Sequence, residues 1–112
     1  MKAIRVHTPG GPEALRYEDV PEPAPRAGQA VVKLGACGVN YIDVYFRTGQ
    51  NKAPLPLTVG LEGAGTVTAV APDVTSVKVG ERVAWTGVAG SYAQMNAVPA
   101  DRLVILPDGL YF

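Results

Sequence analysis

Short alternations of apolar and polar residues, broken every few positions by glycine or proline, run along most of this chain. Ile4 and Val6 share one face of a predicted strand over Met1–Thr8, and Ala30–Leu34 alternates around Lys33 in another. Side chains two residues apart lie on the same face of a β-strand, so this pattern predicts half-buried strands. The same pattern predicts further strands at 15–20, 60–70, 82–85, 92–98 and 103–106. Seven or so short strands predict a mainly β protein, built as a partly open β-barrel or sandwich.

One stretch departs from this alternation and predicts a short helix. Ile42, Tyr45 and Phe46 recur at the i, i+3, i+4 spacing of a helical face. Asn40 suits the N-cap, because its side-chain oxygen can accept a hydrogen bond from a first-turn N–H, and Gly49 can end the helix in the left-handed conformation. The pattern places the polar atoms of Asn40 and Tyr45 beside an apolar face, as an active-site wall requires.

The segments on either side of this helix are also informative. Gly35-Ala36-Cys37 consists of small residues that suit the end of a buried strand. Gln50–Thr58 contains two prolines and little periodicity, which predicts a loop long enough to border a pocket. Asp43, inside the predicted helix, is interpreted as a local hydrogen-bond acceptor.

Composition limits the kinds of protein this chain can be. The 112 residues include ten basic and ten acidic side chains, without a basic block that would favour nucleic acid as a partner. The apolar stretches are shorter than the ~18 residues of a membrane span. The lone cysteine, Cys37, excludes an internal disulfide and suits a reducing compartment. We therefore expect one domain in a cytoplasmic protein, with neither nucleic acid nor membrane as a partner.

Five segments, in order along the chain, resemble segments of a known family. Gly60–Val67 resembles a glycine-rich GHExxGxV segment, and Val79–Val83 resembles a GDRV turn. The other three are Met1–Ile4, Gly38–Gly49 and Val104–Leu110. Together they make the chain similar to the zinc-free quinone oxidoreductases, a branch of the medium-chain dehydrogenase/reductase superfamily. The resemblance implies a mainly β, GroES-like, partly open β-barrel with one or two short helices across residues 1–112. It also implies a nucleotide-binding domain that is missing from this chain.

The resemblance implies hydride transfer from NADPH to a quinone or a conjugated carbonyl. Asn40 would face the nicotinamide and the substrate, where its amide could donate to a carbonyl oxygen that gains negative charge. Tyr45 would line the cleft, with Ile42 and Glu62 as further candidates. The residues alone leave other interpretations open. Asn40 could be only a helix cap, Tyr45 a core residue, and Glu62 either an orienting group or a structural partner of a buried arginine.

The resemblance also bears on metal and cofactor sites. The superfamily's alcohol dehydrogenases bind their catalytic zinc with a cysteine and a histidine at the positions that match Asn40 and Leu61, and neither residue here is a plausible zinc ligand. A four-cysteine zinc loop is excluded because Cys37 is alone. The glycines of Gly60–Gly65 are spaced G-x-x-G-x-G rather than G-x-G-x-x-G. We therefore expect no zinc, and we expect the main NADPH site to lie outside this chain.

A non-enzymatic interpretation competes with the enzyme. The chain could be a GroES-like binding or assembly module, or an engineered fragment. Its apolar ending favours part of a larger protein, and then the chain alone should lack reductase activity. Such a domain should self-associate through apolar side chains that the missing domain would cover. These are Tyr45, Phe46, Leu110, Tyr111 and Phe112.

Overall fold

The computed structural model describes all 112 residues, Met1–Phe112. It contains eight β-strands, one α-helix and two single-turn 3-10 helices, the latter at Pro12–Ala14 and Ala100–Arg102. The strands and the helix are, in order, β1 Lys2–Val6, β2 Leu15–Asp19, β3 Gln29–Cys37, α1 Tyr41–Thr48, β4 Leu57–Thr58, β5 Glu62–Val70, β6 Arg82–Thr86, β7 Met95–Pro99 and β8 Val104–Ile105. The predicted mainly β architecture with a short helix is confirmed. Neither α1 nor the 3-10 turns are long and apolar enough to cross a membrane.

The strands form two antiparallel sheets. One has the order β2-β1-β4 and the other has the order β7-β3-β5-β6-β8. A short segment before β7 joins them, because the Ile4 N–H donates to the Tyr92 main-chain oxygen at 2.8 Å and the Leu34 N–H donates to the Gln94 main-chain oxygen at 2.9 Å. The sheets do not close into a full barrel, so the predicted partly open form is confirmed.

The main hydrophobic core packs on the five-stranded sheet. β-Branched side chains suit this position, because they fit a pleated surface and lose little rotamer freedom there. Gly63 leaves room for the indole of Trp85, since a Cβ at that position would come within 2.7 Å of the ring. The core cluster consists of Ala30, Val32, Val67, Val77, Val83, Trp85, Val98 and Ala100.

Two local predictions need correction. Gly35-Ala36-Cys37 does end a strand, but all three residues are exposed rather than buried. The reason is that β7 pairs with β3 only along Gln29–Lys33, so Gly35, Ala36 and Cys37 have no paired strand on that side. The predicted loop Gln50–Thr58 ends in the short strand β4, which pairs with Arg5 and Val6 of β1. This pairing is tertiary, so the local pattern does not show it.

Candidate functional site

The predicted helix forms at the expected place. Asn40 is its N-cap, with an extended backbone at φ −128° and ψ 153°, and Gly49 ends it at φ 85°. Glycine adopts this left-handed conformation without the clash that a Cβ brings, so it stops the helix and turns the chain. Asn40 therefore stands where the backbone leaves β3 and enters α1.

Asp43, rather than the Asn40 side chain, provides the well-formed cap of this helix. The Asn40 N–H donates to Asp43 Oδ2 at 3.0 Å, and the Asp43 N–H donates to the main-chain oxygen of Asn40 at 3.0 Å. The Asn40 side chain approaches the same Asp43 N–H in a capping-box arrangement, but without a hydrogen bond of normal geometry. The NH2 group of the Asn40 carboxamide donates no hydrogen bond within the chain, so this donor is available to a ligand.

Asp43 is also tied to a residue far away in the sequence. The Tyr92 hydroxyl donates to Asp43 Oδ2 at 2.6 Å, and Asp43 is only 6% exposed. Burial and the bond to this carboxylate raise the pKa of Tyr92 well above its usual value, so Tyr92 remains a hydroxyl donor at physiological pH. Two nearby side-chain oxygens, Asp43 Oδ1 and Ser91 Oγ, are buried without a hydrogen-bond partner. The expectation that Asp43 is a hydrogen-bond acceptor is confirmed, whereas sequence reasoning missed Tyr92.

The first turn of α1 exposes apolar side chains beside Asn40. Tyr41 and Ile42 are 72% and 38% exposed. The ring of Tyr41 packs edge-on against the half-buried Tyr45, with 5.3 Å between the ring centroids. Asn40 and Ile42 thus lie at the start of the helix, and Tyr45 lies one turn further on, against Tyr41. This end offers a carboxamide next to apolar and aromatic surface.

Glu62 lies close to the same place but does not pair with an arginine. It is exposed, and its side chain covers Gly38, where a Cβ would overlap it. The Gly38 N–H donates to the Glu62 main-chain oxygen at 3.1 Å. The interpretation of Glu62 as the partner of a buried arginine is wrong, because Glu62 is exposed and forms no salt bridge. The main-chain oxygen of Glu62, rather than its carboxylate, bonds to Gly38, two residues before Asn40.

Two cavities lie near α1. The larger, of about 500 Å³, is mostly apolar and lies between β1 and the end of β3, with Cys37, Val39 and Tyr92 among its lining residues. The smaller, of about 130 Å³, lies between Phe46 and the loop after the helix. This confirms that the predicted loop borders a pocket. Asn40 and Tyr45 line neither cavity, and no contact joins the two side chains, so their shared role in a site stays a prediction.

The residues present do not build a dinucleotide site or a zinc site. Every strand pair is antiparallel, so the chain has no βαβ unit. Gly65, in the glycine-rich segment, instead lets β5 approach the Lys33 main-chain oxygen closely. Asn40 and Leu61 contribute a carboxamide and an aliphatic side chain, and neither is a usual zinc ligand.

The surface predicted for self-association is only partly formed. Leu110, Tyr111 and Phe112 are 50%, 90% and 46% exposed. Tyr45 and Phe46 are half-buried, because Tyr45 packs against Tyr41 and Phe46 lines the smaller cavity. The expected exposure of these two side chains is therefore wrong, and self-association itself stays a prediction.

The chain has the architecture of a GroES-like β-domain. Its two antiparallel sheets leave a barrel partly open, and one short helix follows a central strand. Residues 26–108 match the family described as the alcohol dehydrogenase GroES-like domain. The chain belongs to this family.

Comparison with known proteins confirms the resemblance to the quinone oxidoreductases. The chain is 44% identical to the quinone oxidoreductase of Pseudomonas aeruginosa, over 99% of this chain and 35% of that protein. The solved structure of a Pseudomonas syringae quinone oxidoreductase superposes with a TM-score of 0.96 at 46% identity, over 99% of this chain and 35% of the other. The structure of the Escherichia coli quinone oxidoreductase complexed with NADPH superposes with a TM-score of 0.96 at 34% identity, over 100% of this chain and 35% of the other. The chain thus spans about a third of the length of the relatives it matches, at their N-terminal end.

Proposed function

We propose that this chain forms the substrate-side wall of an NADPH-dependent quinone oxidoreductase that works without zinc. The relatives' names support a quinone as substrate, and the E. coli relative supports NADPH as the cofactor. NADPH would supply the hydride, and this chain would bind and polarise the acceptor. The observation that carries the proposal is the Asn40 carboxamide, free to donate at the start of α1 beside the exposed Tyr41 and Ile42.

The role of Asn40 follows from where charge develops in the reaction. When a hydride reaches a quinone or an enone, negative charge accumulates on the carbonyl oxygen. An N–H donor already fixed near that oxygen stabilises the charged transition state more than the neutral substrate, and this difference lowers the barrier. The positive end of the α1 dipole acts in the same direction. Asn40 can therefore polarise a carbonyl, while Tyr41, Ile42 and Tyr45 provide flat apolar contact for a ring.

The absence of zinc from this reaction rests on the chemistry of two side chains. A zinc ion would need anionic sulfur, imidazole or carboxylate ligands, and the matching positions hold Asn40 and Leu61. A hydrogen-bond donor at Asn40 offers a metal-free way to stabilise the same oxygen. A hydrogen-bond donor and a zinc ion are thus two alternative ways to stabilise the negative charge on the carbonyl oxygen.

A chimera tests the proposal directly. We would replace the matching N-terminal third of the P. aeruginosa quinone oxidoreductase with this chain and follow NADPH oxidation in the presence of a simple benzoquinone. The chimera should reduce the quinone, because this chain should supply a complete substrate-side wall. The chain alone should give only the uncatalysed background rate. A folded chimera that binds NADPH but shows no quinone-dependent turnover would contradict the proposed function.

Zinc content gives a second prediction. After dialysis without a chelator, elemental analysis of the chimera should find no stoichiometric zinc, and added chelator should leave its quinone reductase rate unchanged. A zinc-dependent alcohol dehydrogenase treated in parallel serves as the control and should retain its metal. Stoichiometric zinc in the chimera, lost together with activity, would overturn the metal-free mechanism.

A further inference from the structure

We propose that Tyr92 is a positioning residue, whose hydroxyl holds Asp43 and, through Asp43, fixes Asn40 at the start of α1. The significance of this role for catalysis rests on the proposed function. The positioning itself depends only on contacts within this chain, and it can be tested there.

The contacts meet at a single atom. Asp43 Oδ2 accepts the hydroxyl of Tyr92 at 2.6 Å and the backbone N–H of Asn40 at 3.0 Å. A carboxylate acceptor makes both bonds charge-assisted, and such bonds are stronger than neutral ones. If the Tyr92 hydroxyl is removed, Oδ2 loses one of the two donors that fix its location, and the Asn40 backbone is bonded directly to that oxygen.

Tyr92 is itself firmly attached to the sheets. Its N–H donates to the Val59 main-chain oxygen at 2.9 Å, and its main-chain oxygen accepts the Ile4 N–H at 2.8 Å. Its ring lies against Gly60, at φ 95°, where a Cβ would overlap it. The hydroxyl therefore extends from a rigid junction between the sheets, which makes it a fixed reference point for the helix.

Helix α1 has few other means of attachment. Most helices are held by a buried apolar face, but the only buried residue of α1 is Asp43. At its other end, the Arg47 side chain donates to the Gly10 main-chain oxygen at 3.3 Å, and the Gly10 N–H donates to the Arg47 main-chain oxygen at 3.0 Å. Hydrogen bonds from α1 to distant parts of the chain thus lie at both ends of the helix. Near Asn40, the side-chain bond of this kind is the one between Tyr92 and Asp43.

Tyr92 is unsuited to the alternative role of proton donor to substrate. Its hydroxyl proton is already shared with Asp43, and burial beside that carboxylate makes the hydroxyl a weaker acid. Because the proton stays on Tyr92, the hydroxyl can act as a permanent donor. This behaviour suits a residue that holds Asn40 in place.

NMR relaxation dispersion on the 112-residue chain tests the positioning role, because it detects a minor conformer that exchanges in microseconds to milliseconds. In Tyr92→Phe, the minor conformer in which the start of α1 has separated from Tyr92 should become roughly 10- to 100-fold more populated. This factor is what the loss of one hydrogen bond to a charged group is expected to cause. The new dispersion should appear at the backbone nitrogens of Asn40 and Asp43 and be absent from β3 and β5. Asp43→Asn, which keeps the shape but removes the charge, should give a smaller rise and provides a second variant if Tyr92→Phe does not fold.

Two control variants separate positioning from general stability. Tyr17→Phe removes a hydroxyl from a tyrosine that is 71% exposed and that lines the same 500 Å³ cavity as Tyr92. This substitution should change nothing at Asn40. Val98→Ala truncates the core and should lower the melting temperature without dispersion at Asn40. If Tyr92→Phe behaves like Val98→Ala, or like Tyr17→Phe, the positioning role is wrong. An inactive chimera would count against the proposed function alone, whereas an unchanged Asn40 signal in Tyr92→Phe would count against the positioning role alone.

Discussion

Replacing Asn40 with alanine in the chimera should lower kcat/KM for quinone reduction roughly 100- to 1000-fold, the usual cost of removing a donor aimed at developing negative charge. The loss should fall mainly on kcat, because the hydrogen bond strengthens as charge reaches the carbonyl oxygen. Stability should change little, since Asp43 forms the well-made cap and the Asn40 side chain lacks a normal capping bond. Steady-state kinetics at varied quinone concentration and a thermal melt measure the two effects.

Asn40→Asp is the matched control for this experiment. Aspartate is as good an N-cap as asparagine, but its carboxylate has no N–H to donate and would repel the developing charge. The proposed function therefore predicts that Asn40→Asp is inactive at nearly the wild-type melting temperature. If Asn40 is only a helix cap, the pattern reverses: Asn40→Ala loses about 1 kcal/mol of stability and keeps wild-type kinetics. That result would reject Asn40 as the polarising residue.

The sequence predicted those elements whose causes are local. The strands β1, β3, β5 and β6 follow from alternating side chains, and α1 follows from a capping residue, a helical face and a terminal glycine within one short stretch. The strand β4 was missed because its hydrogen bonds go to β1, about fifty residues earlier in the chain. The segment that leads into it contains Pro54 and Pro56 and carries no periodic signal. Likewise, the exposure of the end of β3 depends on where β7 stops pairing.

The same distinction applies to the site. Asn40, Ile42 and Tyr45 could be proposed from the sequence because one short stretch carries all three. Tyr92 could not, because its partner Asp43 is 49 residues away and neither residue belongs to a shared motif. The role of Tyr92 becomes visible only when the junction between the sheets brings its hydroxyl to the helix. The error about Glu62 has a similar origin, since only the fold shows that its neighbour is the Gly38 backbone.

Gly65 allows β5 to pack closely against β3, the strand that leads to Asn40. Gly65 pairs with Leu34 of β3 on one side and with Val83 of β6 on the other. A Cβ at Gly65 would overlap the main-chain oxygen of Lys33. This oxygen belongs to the backbone of a central strand, so it cannot rotate away as a side chain could. The separation between β3 and β5 therefore requires glycine at this position, and β3 is the strand that leads to Asn40.

Gly65→Ala should accordingly destabilise the chain by about 3 kcal/mol, the upper end of the usual cost of overpacking. A loss of that size is a large share of the roughly 5–15 kcal/mol that stabilises a typical domain. Urea denaturation should show a lower midpoint with an unchanged slope, because the surface exposed on unfolding stays the same.

Gly10→Ala is the matched control for Gly65→Ala. Neither glycine has a positive φ, so both substitutions restrict the unfolded chain in the same way, a change that alone would stabilise by roughly 0.4–1 kcal/mol. They differ in the space available, because a Cβ at Gly10 would meet its nearest neighbours at 3.5 and 3.7 Å, which are ordinary contacts. Gly10→Ala should therefore be neutral or slightly stabilising. If the two variants unfold at the same urea concentration, the contact between Gly65 and Lys33 does not limit how closely β3 and β5 can pack.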